Sequence, residues 1–376
     1  MITILTGDKI NAGDLFIVIR GMKLLKHFYP NEELLKLDRW KPIDKELYKI
    51  NKTRALILLG GPAFQKNLYP GIYPLVKNLD SIKVPIIAMG LGSKISPYNH
   101  FMVDNFKFTK SSKPLLYRLT CDSKYISVRD YITKRILENN GVKNSIVTGC
   151  PAWYNFETLG KPIINNPIET IALTTSVRHF RQRSSFIQQY NVMKFIKEFF
   201  PRKRFYCVFQ DSLENDTYKP PRIIKIQREL ANKAEFLGYK IINCTNNVNK
   251  MMETYEKSDL LIGYRVHSHI CMLTLGKPSI LIADDSRGYG VNEFLNMGNF
   301  NSYIESKGIF DQLYVDSLQG IALRRIFPYK PNKYLTEQIR IFLEQEISNG
   351  FASYAGVNSI ILRYFKIMET FMKILF

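Results

Sequence analysis

The stretch that decides the fold is Leu260-Leu261-Ile262-Gly263-Tyr264-Arg265-Val266-His267-Ser268-His269, followed by Gly276-Lys277-Pro278-Ser279-Ile280-Leu281-Ile282. It predicts an apolar strand, a turn with one fixed cation and two imidazoles, an apolar helix and a second apolar strand. In a parallel sheet such polar residues lie at the carboxyl edge, where open α/β folds bind ligands. A helix amino end favours anions, and Arg265 adds a permanently charged bidentate donor. The segment therefore predicts an anion site that contains a titratable group.

The first 150 residues show the same alternation of short apolar strands and polar turns. Strands are expected at residues 2–5, 55–59, 84–89, 125–128 and 145–147. An amphipathic helix is expected to follow the first strand and end near His27, and a helix rich in Tyr and Leu is expected between residues 62 and 84. Each strand ends in Gly, Pro or a charged residue, which is typical of a parallel sheet whose loops approach a ligand at one edge.

A second alternating series follows a proline-containing linker at residues 159–166. Its strands are expected at 170–173, 204–209, 240–242, 259–262 and 279–282, with helices near 185–200, 222–237, 247–255, 267–275 and 291–296. The sequence thus predicts an α/β fold of two Rossmann-like lobes with parallel sheets facing a cleft, a GT-B-like architecture, and C-terminal helices from residue 335. The expected domains are 1–163, 164–330 and 331–376. The final helix, at residues 368–376, is expected to pack on the first lobe, with a membrane-surface helix as the alternative.

Size and composition agree with two folded domains. The 376 residues exceed the size at which one hydrophobic core stops growing, and 45% of them are hydrophobic. The opening residues lack a signal-peptide pattern, and no apolar run reaches about 18 residues, so we expect a cytoplasmic protein. The five cysteines are scattered without metal-ligand spacing, which fits reduced and mostly buried thiols. The histidines also lack ligand spacing, and adjacent carboxylates such as Asp284 and Asp285 point in different directions, so no metal site is expected. No cofactor is expected either.

The formal net charge of +20 indicates an anionic partner. Nucleic acid is not expected, because the basic residues are spread along the chain and no zinc finger, helix-turn-helix or RNP-type motif is present. Two explanations remain open for the charge. One is a solvated basic surface, and the other is a peripheral contact with the anionic inner face of a membrane.

Four short motifs carry a resemblance to a known family. They are Asn11-Ala12-Gly13-Asp14, Leu59-Gly60-Gly61-Pro62, Ser127-Val128-Arg129-Asp130, and Arg265-Val266-His267 with Gly276-Lys277-Pro278 and Asp285-Ser286-Arg287. On these motifs the chain resembles the polysaccharide pyruvyl transferase family from about residue 7 to about residue 297. It departs from the family pattern Tyr-Asp-x-Lys at residues 283–287, where Arg287 keeps the positive charge but replaces a point donor with a planar fork.

The resemblance implies transfer of a pyruvyl group from phosphoenolpyruvate, as co-substrate, to two hydroxyls of a glycan or lipid-linked sugar, which forms a cyclic ketal. The donor carries a phosphate and a carboxylate, so the expected donor-binding residues are Arg265, Arg287 and Ser268. Ketal formation requires protonation of the methylene carbon and removal of protons from the attacking hydroxyls. His267 is the expected acid/base group.

Each of these residues also has a structural alternative. His267 could instead bond a backbone carbonyl, although its place two residues after an arginine at a strand end favours catalysis. His269 lies two positions further along the helix, on a different face, and is expected to be structural. Arg265 could pair with Asp259 or Glu256 instead of binding an anion.

On the first lobe, Asp14 is expected either to orient or deprotonate an acceptor hydroxyl or to cap a helix, and the sequence does not decide between these roles. Asn11, Gly61, Gly92 and Ser93 are the expected acceptor-binding residues, because glycines permit close approach of a ligand to the backbone.

Two further basic motifs have open roles. Arg129-Asp130 is expected to be an internal pair that starts a helix. Arg178, within the cluster Arg178-His179-Phe180-Arg181-Gln182-Arg183, is expected to bind the donor or to belong to a solvated basic loop.

Two other functions remain open at this point. One is a glycosyltransferase of the same two-lobed fold that uses a nucleotide-activated sugar, for example a CMP-linked acidic sugar. The other is a non-catalytic protein that binds sugar phosphates or nucleic acid, which only the charge suggests.

Overall fold

The structure is a computed structural model that describes residues 1–7, 10–96, 98–163, 166–176, 183–211, 213–214, 221–305 and 329–376. Its first half contains a parallel sheet in the order β2-β1-β3-β4. These strands are β1 (Ile2–Thr6), β2 (Leu34–Asp38), β3 (Leu56–Leu59) and β4 (Ile86–Met89). A further parallel pair, β5 (Ile126–Val128) and β6 (Ser145–Val147), joins this layer through a bridge between Leu91 and Val128.

The helices of the first half differ from the prediction in one place. They are α1 (Ala12–Phe28), α2 (Leu47–Ile50), α3 (His100–Asp104), α4 (Lys113–Cys121) and α5 (Tyr131–Glu138). The helix expected between residues 62 and 84 is absent, because this segment forms only single turns at Leu68–Ile72 and Leu79–Ser81. Pro70 lacks a backbone donor and Gly71 is a poor helix former, so the apolar pattern around them does not continue as a helix.

The second half contains a six-stranded parallel sheet in the order β12-β11-β10-β7-β8-β9. Its strands are β7 (Thr170–Thr174), β8 (Arg204–Phe209), β9 (Lys240–Asn243), β10 (Leu260–Gly263), β11 (Ser279–Ala283) and β12 (Phe300–Asn301). Every residue of β7, β10 and β11 is buried. Strands buried on both faces are typical of a parallel sheet covered by helices, which explains their continuous apolar runs.

Five helices connect these strands. They are α6 (Arg183–Phe199), α7 (Pro221–Phe236), α8 (Val248–Glu256), α9 (Val266–Thr274) and α10 (Ser286–Leu295). Helix α10 begins earlier than residue 291, where the apolar pattern starts. Its start is set by Asp285, whose side chain accepts a hydrogen bond from the backbone N–H of Arg287.

The strand order of each sheet shows where a ligand is expected to bind. In the first sheet the order reverses between β1 and β3, and in the second between β10 and β7. Open parallel sheets bind ligands outside the carboxyl ends of the strands at such reversals. The predicted fold class, α/β with two parallel sheets and C-terminal helices, is therefore confirmed.

The C-terminal segment returns to the first half of the chain. After the antiparallel pair β13 (Tyr303–Glu305) and β14 (Tyr329–Pro331) come α11 (Leu335–Ser348) and α12 (Val357–Lys373). The hydroxyls of Tyr364 in α12 and Tyr131 in α5 lie 2.6 Å apart, and the Tyr29 hydroxyl donates to the carbonyl of Met372. No helix within the described ranges is both long and apolar enough to cross a membrane.

Candidate functional site

The two lobes meet where α1 and α9 begin. The backbone N–H of Ala12 donates to the carbonyl of Gln210 at 3.3 Å. The side chain of Asn11 caps α1 and also donates to Oδ1 of Asp211 at 2.9 Å. A Cβ atom on Gly13 would lie 3.1 Å from the Cβ of His267, so only glycine fits easily at this contact. The Asn11–Asp14 loop therefore docks directly on the carboxyl edge of the second sheet.

His267 lies in the first turn of α9 and is 6% exposed. Its Nδ1 atom is 3.9 Å from Oδ1 of Asp14. Its Nε2 atom is buried and has no hydrogen-bond partner among the residues that the structure describes. Burial, followed by the charges of Arg129, Arg287 and Arg265, holds the pKa of the imidazole well below its usual value. The ring is therefore neutral near pH 7.

Arg265 stands between the end of β10 and the start of α9. Its backbone N–H donates to Oγ1 of Thr174 at 3.2 Å, and its guanidinium pairs with Oδ2 of Asp211. Asp211 accepts from Asn11 with its other oxygen, so it links Arg265 to the first lobe. Asp259, considered above as a partner, instead accepts from the amides of residues 169 and 170. Pairing of Arg265 with Asp259 is therefore wrong.

Arg287 lies in the first turn of α10 and forms a two-pronged pair with Asp285. Its Nε atom is 3.0 Å from both carboxylate oxygens of Asp285, and Nη2 is 2.9 Å from Oδ2. Burial lowers the pKa of this guanidinium, but the carboxylates of Asp285, Asp284 and Asp14 together outweigh burial, and the net pKa is raised. Arg287 is thus a fixed cation near His267.

Arg129 is a site residue that the sequence interpretation missed. It follows β5, is 1% exposed, and donates from Nε to Oδ2 of Asp130 at 3.0 Å and from Nη2 to the carbonyl of Ser93 at 3.4 Å. The expected internal pair is thus present, and Asp130 caps α5. However, Nη1 of Arg129 is buried without a partner in the described part of the chain, and its charge acts on His267. Its place at the carboxyl end of a strand was the available signal.

The other expected acceptor-side residues line the edge of the first sheet. Gly61 has φ +79°, and its carbonyl accepts from the N–H of Gly92 at 2.8 Å. Ser93 is buried, and its backbone N–H donates to Oγ1 of Thr133 at 2.8 Å. Gly61 and Gly92 thus form one continuous backbone edge, whereas Ser93 anchors α5.

Ser268 and His269 point into the second lobe. The Ser268 hydroxyl accepts hydrogen bonds from Nε2 of Gln210 and from the hydroxyl of Tyr255, each at 2.6 Å. His269 hydrogen-bonds through Nδ1 to Oγ of Ser279 at 2.8 Å, and burial lowers its pKa to about 3. Neither side chain joins the group around His267.

A cavity of ≈ 80 Å³ lies on the β11 side of α9. His269, Asn292 and Tyr354 line it, and neither His267 nor the three arginines do. It is therefore separate from the inter-lobe site, where the charged groups converge. Within the described ranges, no group of three or more His, Cys, Asp or Glu residues is arranged to hold a metal ion. Arg178 lies outside the described residues.

The geometry brings four of the predicted residues together: His267, Asp14, Arg265 and Arg287. A neutral imidazole lies within the electrostatic reach of three guanidiniums from both lobes. A carboxylate holds each guanidinium in place, which compensates for burial of the cation and fixes its plane. Such an arrangement can bind a small multiply charged anion and transfer protons next to it.

Comparison with solved structures shows the same fold. The chain is similar to UDP-GlcNAc 2-epimerase from Neisseria meningitidis bound to UDP-GlcNAc, with a TM-score of 0.51, 11% identity and coverage of 99% of each chain. It is also similar to S. aureus MnaA in its structure with UDP, with a TM-score of 0.54, 10% identity and coverage of 99% of this chain and 97% of that one. At such low identity the likeness supports the fold alone.

Sequence comparison is more specific. No curated protein sequence matches the chain. The family model described as polysaccharide pyruvyl transferase matches residues 11–286, which span the site from Asn11 to the start of α10. This match covers most of the chain and includes His267, Arg129 and Arg265, and it ends one residue before Arg287. The chain therefore belongs to the polysaccharide pyruvyl transferase family.

Proposed function

We propose that this transferase moves a pyruvyl group from phosphoenolpyruvate to two hydroxyls of one sugar in a surface polysaccharide or its lipid-linked precursor. The product is a cyclic ketal, and inorganic phosphate leaves. The observation that carries this proposal is the neutral, buried imidazole of His267 among Arg129, Arg265 and Arg287. Phosphoenolpyruvate is a compact anion with a phosphate at one end and a carboxylate at the other, and guanidinium forks suit both groups.

The arginines have N–H groups left for such a donor. Asp285 occupies the Nε and Nη2 edge of Arg287, and Arg129 uses Nε and Nη2 but leaves Nη1 without a partner among the described residues. An unpaired buried N–H group costs free energy, which an anionic oxygen from the donor would recover. The amino ends of α9 and α10 favour an anion at the same place.

The chemistry requires two proton transfers. The first hydroxyl adds to C2 of phosphoenolpyruvate while its proton goes to the methylene carbon, which becomes a methyl group. The second hydroxyl then displaces phosphate at C2, and its proton leaves with the phosphate. In this proposal Nδ1 of His267 carries a proton toward Asp14, so Nε2 is the base that accepts a hydroxyl proton and then passes it on.

Donor binding would also adjust the proton affinity of His267. Part of the reduction in its pKa comes from the three arginines, whose charge an incoming anion offsets. The pKa therefore rises in the complex, toward the range in which an imidazole can both accept and return a proton. The acid limb of kcat, which reports the complex, should consequently lie at higher pH than that of kcat/KM, which reports the free enzyme.

The proposed acceptor lies on the side of the first lobe, next to Asp14 and the edge formed by Gly61 and Gly92. A lipid-linked acceptor would bring the protein, with its net charge of +20, to the surface of an anionic membrane.

Ligand-dependent thermal stability tests the donor assignment. Phosphoenolpyruvate at about 100 times its Kd is expected to stabilise the fold by ~2.7 kcal/mol, whereas UDP-GlcNAc and a CMP-linked acidic sugar at equal concentration are not. Inorganic phosphate and pyruvate, added separately, should give smaller shifts, because each matches only part of the site. Stabilisation by a nucleotide sugar without any effect of phosphoenolpyruvate would reject the pyruvyl donor in favour of glycosyl transfer.

A further inference from the structure

Besides Arg129, a second buried cation lies at the carboxyl edge of the first sheet. Arg39 follows β2, where its backbone N–H donates to the carbonyl of Thr6 at 3.1 Å. It is 4% exposed, and its Nε atom has no hydrogen-bond partner in the described ranges. A Cβ atom on Gly7 would lie 2.5 Å from Cζ of Arg39, and one on Gly61 would lie 2.8 Å from Nη1. Glycine at both positions therefore makes room for the guanidinium.

The next residue, Trp40, presents an aromatic surface beside this cation. Its indole Nε1 donates to the carbonyl of Gly7 at 2.6 Å, which fixes the ring. The guanidinium carbon of Arg39 lies 4.6 Å from the ring centroid. Trp40 nevertheless remains 47% exposed. A rigid indole with an apolar face and an adjacent cation is a surface on which a sugar ring can stack.

Arg39 follows β2 and Arg129 follows β5, and each guanidinium packs against a glycine at the carboxyl edge of the first sheet. Gly61 lies against Arg39 and Gly92 against Arg129, and the N–H of Gly92 donates to the carbonyl of Gly61 at 2.8 Å. The two guanidiniums thus flank one glycine pair along the sheet edge. Only Arg129 is among the charges that lower the pKa of His267, so Arg39 lies beyond the group that surrounds the imidazole.

We propose that Arg39 and Trp40 form an acceptor subsite for a hexose that carries an anionic group, either a phosphate or a carboxylate. This inference rests on the proposed function, in which the acceptor approaches from the first lobe. The sugar ring stacks on Trp40 while its anionic group accepts hydrogen bonds from Arg39. Burying a guanidinium is costly. The hydroxyl of Tyr73 also lies against this guanidinium but carries no charge, so a negatively charged ligand would offset the cost of burial better than a neutral glycan.

The chain offers a direct probe of this subsite. It contains two tryptophans, Trp40 and Trp153, and Trp153 is 1% exposed. A ligand that stacks on Trp40 should therefore change tryptophan fluorescence in the full-length protein without any donor present. Three ligands separate the possibilities: a hexose 1-phosphate, a hexuronate and the neutral methyl hexoside. We expect the fluorescence to change saturably with either anion. Half-saturation should occur at a concentration at least about tenfold below that needed for the neutral sugar, because the anion forms a charge-assisted hydrogen bond.

The two anions also identify the source of the charge. Tighter binding of the hexose 1-phosphate indicates a phosphate-linked precursor as acceptor, and tighter binding of the hexuronate indicates an acidic residue of the polysaccharide. Arg39→Gln should weaken binding of the preferred anion by about 10-fold to 100-fold, and Arg39→Lys should weaken it by less. Trp40→Phe should remove the fluorescence signal. Lys41→Gln, which changes the charge of the adjacent exposed residue, is the matched control and should bind as the unaltered protein does.

Phosphoenolpyruvate-induced thermal stabilisation, measured on the same variants, keeps the two proposals separate. It should be unchanged in Arg39→Gln and Trp40→Phe, which also shows that they fold. If phosphoenolpyruvate binds but neither anionic sugar alters fluorescence, or if Arg39→Gln binds them equally well, the acceptor subsite is refuted while the donor assignment stands. If the sugars bind through Arg39 and phosphoenolpyruvate does not bind at all, the subsite stands and the pyruvyl donor is refuted.

Discussion

Nδ1 of His267 and Oδ1 of Asp14 face each other at 3.9 Å across the boundary between the two lobes. His267 belongs to the first turn of α9, and Asp14 to the first turn of α1. Catalytic hydrogen bonds are often long in ligand-free structures and tighten when substrate binds. The carboxylate is therefore positioned to favour the tautomer of His267 with a proton on Nδ1, and in the proposed mechanism Nε2 is then the base.

Asp14→Asn should lower kcat without weakening donor binding. The amide is nearly the same size as the carboxylate but does not stabilise the proton on Nδ1 of His267, so fewer molecules hold the active tautomer. Removing a negative charge near Arg287 also favours an anionic donor, so KM for phosphoenolpyruvate should stay constant or fall. Steady-state kinetics across pH checks both effects. A raised KM with unchanged kcat would show that Asp14 acts in donor binding instead.

Replacement of the two histidines of α9 should have opposite consequences. His267→Asn should reduce turnover by about 10²-fold to 10⁴-fold, the usual contribution of a general acid/base, with little loss of stability. His269→Asn should cost about 1–3 kcal/mol of stability, because it breaks the buried contact with Ser279, and should leave kcat of the folded protein nearly unchanged. Measuring kcat and the thermal midpoint of each variant separates the loss of turnover from the loss of stability. Full turnover by His267→Asn would remove the proposed base.

Arg129→Lys should raise KM for phosphoenolpyruvate by about 10-fold to 100-fold, because the single ammonium nitrogen of lysine cannot pair with Asp130 and also occupy the place of Nη1. Lysine keeps the positive charge, so Asp130 is not left buried and unpaired. Arg135→Lys is the matched control, since Arg135 lies on α5, is largely exposed and pairs with Asp104. Donor titrations of both variants provide the measurement. Equal effects of the two substitutions would exclude a special role for Arg129.

The fold followed from sequence because its signals are local. Continuous apolar runs such as β10 and β11 are what a doubly covered parallel sheet requires, and glycine or a charged residue marked each carboxyl end. The edge strand β2 lacked such a signal, since its residues are only partly buried and include Lys36. The helix expected before β4 was a wrong prediction. The apolar signal was present there, but these residues pack as single turns around Pro70.

The site was less predictable because it depends on contacts between distant segments. Arg265 and His267 were identifiable from one strand end, but the partner of Arg265 is Asp211, 54 positions away in sequence. Arg129 appeared to be satisfied by its neighbour Asp130, and only the tertiary structure reveals its unpartnered Nη1 among the described residues. Lys277 is a motif residue with a structural role. Its ammonium donates to the carbonyls of Glu256, the last residue of α8, and of Ser258.

Stability should decline as the pH falls below about 6.5. Burial depresses the pKa of both His267 and His269 in the folded protein, the latter to about 3, whereas unfolded histidines titrate near 6.5. Above that pH both rings are neutral in both states, and the stability is fully present. Below it the unfolded chain binds up to two more protons, so stability is lost by up to about 2.7 kcal/mol per pH unit. Urea unfolding between pH 5 and 7 measures this slope, which His269→Asn should reduce by about half. An unchanged slope in that variant would contradict a buried, neutral His269.

Gly92→Ala should impair donor binding through Arg129. A Cβ atom at this position would lie 2.4 Å from Cζ of Arg129, which is too close, so the guanidinium must move away from its place beside His267. We expect KM for phosphoenolpyruvate to rise about tenfold or more, with a stability cost of about 1–3 kcal/mol from overpacking. Gly356→Ala is the control, since nothing lies within 4 Å of its added methyl group. Because the effect runs through one side chain, Gly92→Ala should add little in an Arg129→Lys background, and additive losses in that double mutant would show that Gly92 contacts the ligand itself.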